Sequence, residues 1–128
     1  MVQAQQGHIT GNAMRHVAEV IGCTPADVED VVTYYVMFFT KPVGKYVLQV
    51  CRTLSCALNG AEKVTAELCR HLHVKPNETT EDGLFTVMEF ECLGACDRAP
   101  VIMVNNEHWH ECQQPEDVPA LIEGLRTK

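Results

Sequence analysis

Two short cysteine pairs, Cys51-Arg-Thr-Leu-Ser-Cys56 and Cys92-Leu-Gly-Ala-Cys96, are the residues of this 128-residue chain whose types and spacing most directly suggest chemistry. Four thiolates on two loops form a soft donor set, suited to zinc, copper(I) or iron-sulfur rather than to oxygen-seeking cations. Neither pair has the two-residue spacing of a redox dithiol at a helix start, which weakens that role strongly and a zinc knuckle slightly. Gly94, inside the second pair, can take a positive φ and lets backbone N–H groups approach sulfur with no Cβ in the way. Cys23, Cys69 and Cys112 bring the count to seven, an odd number that internal disulfides cannot consume. Each of those three reads as a small buried hydrophobe.

The elements that must position these thiols follow from periodicity and caps. Ala13, Val17, Val20 and Ile21 share one face of a helix over residues 12–23, with Asn12 as its cap and Gly22 as its stop. A second helix starts at a Thr24 cap with Pro25 in its first turn, and Val28, Val31, Val32, Tyr35, Phe38 and Phe39 line its buried side. The Tyr34-Tyr35 and Phe38-Phe39 stripe is core by default, with partner contact as the alternative. After a turn at Pro42 and Gly44, the segment KYVLQVC is a strand that delivers Cys51 at its end. Asn59 then caps a helix that runs to Leu72, and LFTVMEFE (84–91) is a strand ending at Cys92. Two further strands, 101–104 and 108–112, flank an Asn105-Asn106 turn, and a helix from Glu116 to Arg126 closes the chain. Both cysteine pairs thus follow strands that can lie side by side, so one sheet edge can present four sulfurs in a compact α/β layer structure.

Composition narrows the function classes. Seventeen acidic against ten basic side chains give a formal charge of -7, which repels a phosphate backbone and argues against nucleic acid. The longest dense apolar run, Val31 to Phe39, is too short to cross hydrocarbon, which predicts a soluble chain with no direct membrane insertion. MVQAQQGHITGN lacks the basic start and apolar stretch of a secretory signal, so the expected compartment is reducing and cytoplasmic. The pairs His71/His73 and His108/His110, like the acidic run Glu78, Glu81, Asp82 and the pair Glu116-Asp117, read as surface and not as a second centre. No carboxylate pair is placed for hydrolysis, and no Cys-His nucleophile is supported. Arg52 and Arg98 flank the two loops in sequence, where a cation can soften the charge of an anionic centre.

Several separated segments resemble a known family: VAEVIG (17–22), DVEDVVTYY (27–35), PVGKY (42–46), VCRTLSC (50–56) and ECLGACDRAP (91–100). They are similar to the small thioredoxin-like [2Fe-2S] ferredoxin subunit, the 24-kDa type, of bacterial NADH-quinone oxidoreductase, respiratory complex I. The resemblance implies an α/β, thioredoxin-like [2Fe-2S] ferredoxin fold with a short N-terminal helical segment (1–41) before the cluster domain (42–128). It implies that Cys51, Cys56, Cys92 and Cys96 ligate one [2Fe-2S] cluster, with Gly94 as backbone support. It also implies an electron-transfer subunit, not a catalyst by itself, docked on a partner that binds FMN and oxidises NADH in the peripheral arm of a membrane-associated complex. FMN and NADH belong to that partner, since no nucleotide-binding glycine loop is present here. The alternatives are a diaphorase subunit of an NAD-reducing hydrogenase or NAD-dependent formate dehydrogenase, and a structural four-cysteine zinc module. Family members usually carry more N-terminal helices before the segment matching GHITGNAM, and often an aromatic residue where His8 stands. That difference leaves Met1 to Gly7 free to fray and the first helices open to a partner or another copy of this chain.

Overall fold

The computed structural model describes residues 1–128, which separate into two compact units, Met1–Val43 and Gly44–Lys128. The first unit is helical. Its opening residues form α1 (Val2–Gln6), which ends on Gly7 at φ 75°. The Gln3 amide ties it to the end of the unit, donating to the Met37 carbonyl at 2.9 Å and accepting from the Phe39 N–H at 2.7 Å. The next helix, α2 (Gly11–Ile21), starts earlier than its pattern predicts. Thr10, and not Asn12, is the cap, its hydroxyl accepting from the Ala13 N–H at 3.2 Å. Gly22 stops the helix at φ 76° as expected, but Val20 and Ile21 are exposed and only Ala18 on this helix is buried.

A capping box starts α3 (Pro25–Tyr34): the Thr24 hydroxyl accepts from the Asp27 N–H while the Asp27 carboxylate accepts from the Thr24 N–H. The Thr24 hydroxyl, donating to the Asp27 carboxylate at 2.6 Å, and then the Thr24 N–H hold the Asp27 carboxyl below the usual range. The helix then stops five residues before Phe39. Tyr35 is extended (φ -86°, ψ 115°), and the Thr33 hydroxyl turns back onto the Glu29 carbonyl at 2.8 Å, a side-chain bond that bends helix ends. β-branched and aromatic residues lose rotamer freedom against the preceding turn, so the run VVTYYVMFF cannot sustain the helix. The expected apolar stripe is accordingly not core. Val32 and Phe39 are buried, whereas Val31, Tyr34, Tyr35, Val36 and Met37 are exposed.

The second unit carries a four-stranded sheet of order β2-β1-β3-β4, built from β1 (Tyr46–Cys51), β2 (Phe85–Phe90), β3 (Ile102–Val104) and β4 (His108–His110). β1 and β2 are parallel, and β3 and β4 join antiparallel. The crossover between the parallel strands contains α4 (Leu54–Leu58) and α5 (Ala61–Leu72), and α6 (Val118–Arg126) ends the chain. Helix α4 is absent from the periodicity reading. It moves Asn59 to its own C-terminal cap and leaves Gly60, at φ 93°, to start α5. A 3₁₀ turn at Pro115–Asp117 likewise delays α6 from Glu116 to Val118.

Leu48, Val50, Val64, Leu68, Phe85, Val87, Ile102, Val118 and Ile122 form one core under these elements. Apolar side chains on both faces of β1 give its five last residues full burial, in keeping with a central strand. The exception in chemistry is Gln49, fully buried, which donates to Asn106 Oδ1 at 2.6 Å and accepts from the Asn106 N–H at 3.2 Å. Asn105 accepts from the Val47 N–H at 2.7 Å. The Asn105-Asn106 turn has φ 55° and 60°, the left-handed pair its residues predict, and the two amides fasten the β3–β4 hairpin to β1.

Candidate metal centre

The parallel register of β1 and β2 sets Cys51 opposite Phe90, so both chains leave the sheet at the same end. Backbone bonds hold that exit: the Arg52 N–H donates to the Phe90 carbonyl at 2.9 Å, and the Cys51 N–H to the Val101 carbonyl at 3.2 Å. The two loops are then tied across. The Ser55 hydroxyl donates to the Cys96 carbonyl at 2.7 Å, and the Arg52 guanidinium pairs with Glu91 at 2.7 Å.

All four thiols of the two pairs come to this edge, and two are inside while two are outside. Cys51, the last residue of β1, and Cys56, on α4, are 1% and 2% exposed, whereas Cys92 and Cys96 lie at the surface. The Cys92 and Cys96 sulfurs are 3.4 Å apart. Two thiolates on one tetrahedral metal stand about 3.8 Å apart for metal–sulfur bonds of about 2.3 Å, so the two sulfurs would have to separate slightly to share a metal atom. Cys51 and Cys56 are the second pair, near enough that each shifts the other's ionisation. The Thr53 hydroxyl lies 3.2 Å from the Cys51 sulfur. No three His, Cys, Asp or Glu side chains crowd around a single point. Four thiols in two pairs at one sheet edge make a soft donor set.

The surroundings favour thiolate at specific atoms. Burial pushes the Cys51 thiol up, but hydrogen bonds from Thr53, the Leu93 N–H and Cys56 outweigh it and bring it below the ordinary range. At Cys92 the Gly94 N–H, donating at 3.4 Å, is the leading cause of a lowered thiol, helped by Cys96 and Thr53. Gly94 has φ 79°, so the expected backbone approach to sulfur is present. Cys56 is pushed up to about 11, first by burial and then by Cys51, against an opposing bond from the Val101 N–H. Its neighbour Cys92 raises Cys96 in the same way. Each pair therefore contains one thiol shifted toward ionisation and one shifted away from it.

Thr53, Ser55, and the N–H groups of Leu93 and Val101 were not legible as site residues, because they act through backbone position and short hydroxyl reach. Arg52 and Arg98 do not turn toward the sulfurs: Arg52 is matched by Glu91, and Arg98 by Glu111 at 2.6 Å. Cys112 corrects another expectation. It is exposed with φ 52°, since β4 ends at His110 and the chain turns there with the Cys112 N–H donating to the Arg98 carbonyl at 2.8 Å. Cys69 packs against the core from α5, where burial raises its thiol. Cys69→Ala should therefore leave metal loading unchanged while costing some stability. Parallel iron analysis and thermal melting check both halves of that expectation.

Comparison with known proteins adds to this geometry. Residues 1–126 match the thioredoxin-like [2Fe-2S] ferredoxin family. Subunit 2 of the NADH-quinone oxidoreductase of Thermus thermophilus is 45% identical over 126 residues, 98% of this chain and 70% of that protein. A subunit of the NADH-quinone oxidoreductase of Escherichia coli is 39% identical over 126 residues, 98% of this chain and 75% of that one. Among solved structures, an NAD+-reducing [NiFe]-hydrogenase in the air-oxidised state superposes with a TM-score of 0.77 at 20% identity, covering 91% of this chain but 20% of the hydrogenase chain. The thioredoxin-like [2Fe-2S] ferredoxin of Aquifex aeolicus superposes with a TM-score of 0.54 at 20% identity, covering 66% of this chain and 88% of its own. At these identities the structural matches speak for the fold.

Proposed function

The chain belongs to the thioredoxin-like [2Fe-2S] ferredoxin family, and on that premise we propose that it is the one-electron transfer subunit of an NADH-quinone oxidoreductase, with Cys51, Cys56, Cys92 and Cys96 holding one [2Fe-2S] cluster. The observation that carries this reading is the parallel exit of β1 and β2, which delivers two cysteine pairs to one sheet edge. When bound, such a cluster supplies one-electron chemistry, with a potential set by burial, charge and hydrogen bonds to sulfur. The protein's own residues set those conditions. Buried Cys51 and Cys56 close one side to water, while exposed Cys92 and Cys96 bring the other side to the surface where a partner can approach. The Gly94 N–H donates to the Cys92 sulfur at 3.4 Å, and such a donor favours the more electron-rich state.

The partner in this reading is the FMN- and NADH-binding subunit of the same complex, in the peripheral arm on the cytoplasmic side; no helix of this chain is long and apolar enough to cross a membrane. Residues 42–128 serve as the cluster domain and residues 1–41 as its helical segment. A diaphorase role in a hydrogenase is the second reading; the first is preferred because near-full-length identity to an NADH-quinone oxidoreductase subunit reaches 45%.

Anaerobically purified protein should absorb broadly from about 330 to about 550 nm and contain about two irons and about two labile sulfides per chain. NADH should bleach that absorption only when the flavin subunit is present. A colourless protein with stoichiometric zinc and no iron uptake would instead establish the structural four-cysteine module.

A further inference from the structure

We propose that Trp109 is a positioning residue for the metal centre: its indole N–H holds the Leu93–Gly94 peptide so that the Gly94 N–H stays aimed at the Cys92 sulfur. The inference rests on the cluster reading above and names a determinant of that site that the cysteine motif does not contain.

Trp109 is the chain's single tryptophan and the middle residue of β4, facing Met103 of β3 in the sheet register. Its Nε1–H donates to the Leu93 carbonyl oxygen at 3.1 Å. That oxygen and the Gly94 N–H are the two ends of one planar trans peptide, so they point in opposite directions. The other end donates to Cys92 Sγ at 3.4 Å. Fixing the oxygen therefore fixes the hydrogen. The Leu93 side chain packs against the core, which leaves the Gly94 end of this peptide the freer one. Cys92, Gly94 and Cys96 are exposed, and a Cβ placed on Gly94 would meet nothing within 4 Å. A glycine with so much free space and no side chain can rotate its peptide easily. The indole, by contrast, stands on the sheet that also carries Cys51, since β3 pairs with both β4 and β1.

The bond also accounts for an indole that is 51% exposed. A large aromatic side chain left half in water gains little from burial, and a polar tip engaged on a loop carbonyl gives it a defined place. An N–H donor to a thiolate sulfur stabilises the reduced state of a metal-thiolate centre more than the oxidised one, because the sulfur is then richer in electrons. Loosening the Leu93–Gly94 peptide should therefore make the centre harder to reduce without removing any ligand.

The test uses the full chain loaded with iron and sulfide, as wild type, W109F and W109L. Phe keeps an aromatic face and removes the N–H donor, while Leu removes both. Both variants should hold about two irons per chain. At a fixed ambient potential, their reduced-to-oxidised ratio should fall about threefold relative to wild type, the scale of one weakened hydrogen bond. A W109F ratio equal to wild type overturns the proposal, including the case where W109L alone shifts and bulk is responsible. A second measurement needs no variant: the single indole N–H should be protected from hydrogen exchange in the wild-type chain. Exchange at the rate of a free indole overturns the proposal. A wild type that takes up no iron overturns the cluster reading along with it, whereas an iron-loaded wild type matched by W109F overturns the positioning role alone.

Discussion

Cys92→Ala should abolish the visible absorption of the purified protein and most of its bound iron. Each iron of a [2Fe-2S] cluster takes two protein thiolates, and removing one leaves a coordination position that neither Thr53 nor the backbone fills with a comparable donor. Residues that only orient metal ligands cost about 10–100-fold in metal affinity when replaced, so a ligand itself must cost more. Alanine is the informative substitution, because a serine oxygen can still donate to iron. Cys92 is also the right position to test for stability reasons: it is exposed, so its loss opens no cavity, and the fold should remain intact. Iron analysis, absorption and thermal melting on the same sample separate the outcomes. Retained iron in Cys92→Ala, with loss in Cys69→Ala, would remove Cys92 from the ligand set.

Gly44→Ala should destabilise the second unit by about 3 kcal/mol, near the upper end for forcing one extra carbon into a packed site. A Cβ at Gly44 would lie 2.8 Å from both the backbone nitrogen and the carbonyl carbon of Phe85, and 2.9 Å from the Leu84 carbonyl carbon. These are backbone atoms of the strand that pairs with β1 and of its leading residue, so no side-chain rotation relieves the clash. The same glycine donates its N–H to the buried Thr86 hydroxyl at 2.7 Å, and Thr86 is also bonded to Thr79 at 2.8 Å. Separating Gly44 from β2 would therefore leave a buried hydroxyl short of a partner as well. On a unit of this size the effect corresponds to a fall of roughly 15–20 °C in melting temperature. A melting temperature within about 2 °C of wild type would mean that the Gly44 segment moves aside freely.

How far each element was legible follows from where its determinants sit. The Thr24-Pro25-Asp27 capping box, the KYVLQVC strand and the Asn105-Asn106 turn are local: each needs neighbouring residues alone, and each is found where its residues place it. Helix α3 ends early because VVTYYVMFF satisfies helical and extended patterns alike, and only Thr33's bond back to Glu29 and the Gln3 clamp on Met37 and Phe39 break the tie. The clamp joins residues more than thirty positions apart, beyond the reach of any periodicity. Helix α4 escapes sequence reading for the opposite reason: LSCAL is five residues, too short to display a repeat.

By itself, the sequence determined the chemistry available to this protein: four thiols in two closely spaced pairs, each following a strand, with a glycine where backbone must approach sulfur. Thiolate softness and the limits on φ are properties of residue type, so no fold is needed to state them. Tertiary structure alone decided that β1 and β2 pair in parallel, which converts two separate loops into one site with a buried and an exposed pair. It also decided which groups surround the sulfurs. Ser55 and Trp109 enter through bonds to another loop, spanning 41 and 16 positions respectively. Arg52 and Arg98, adjacent to the loops in sequence, are turned away by Glu91 and Glu111. Pair interactions at such separations depend on the register of the sheet, and register is a property of the folded chain.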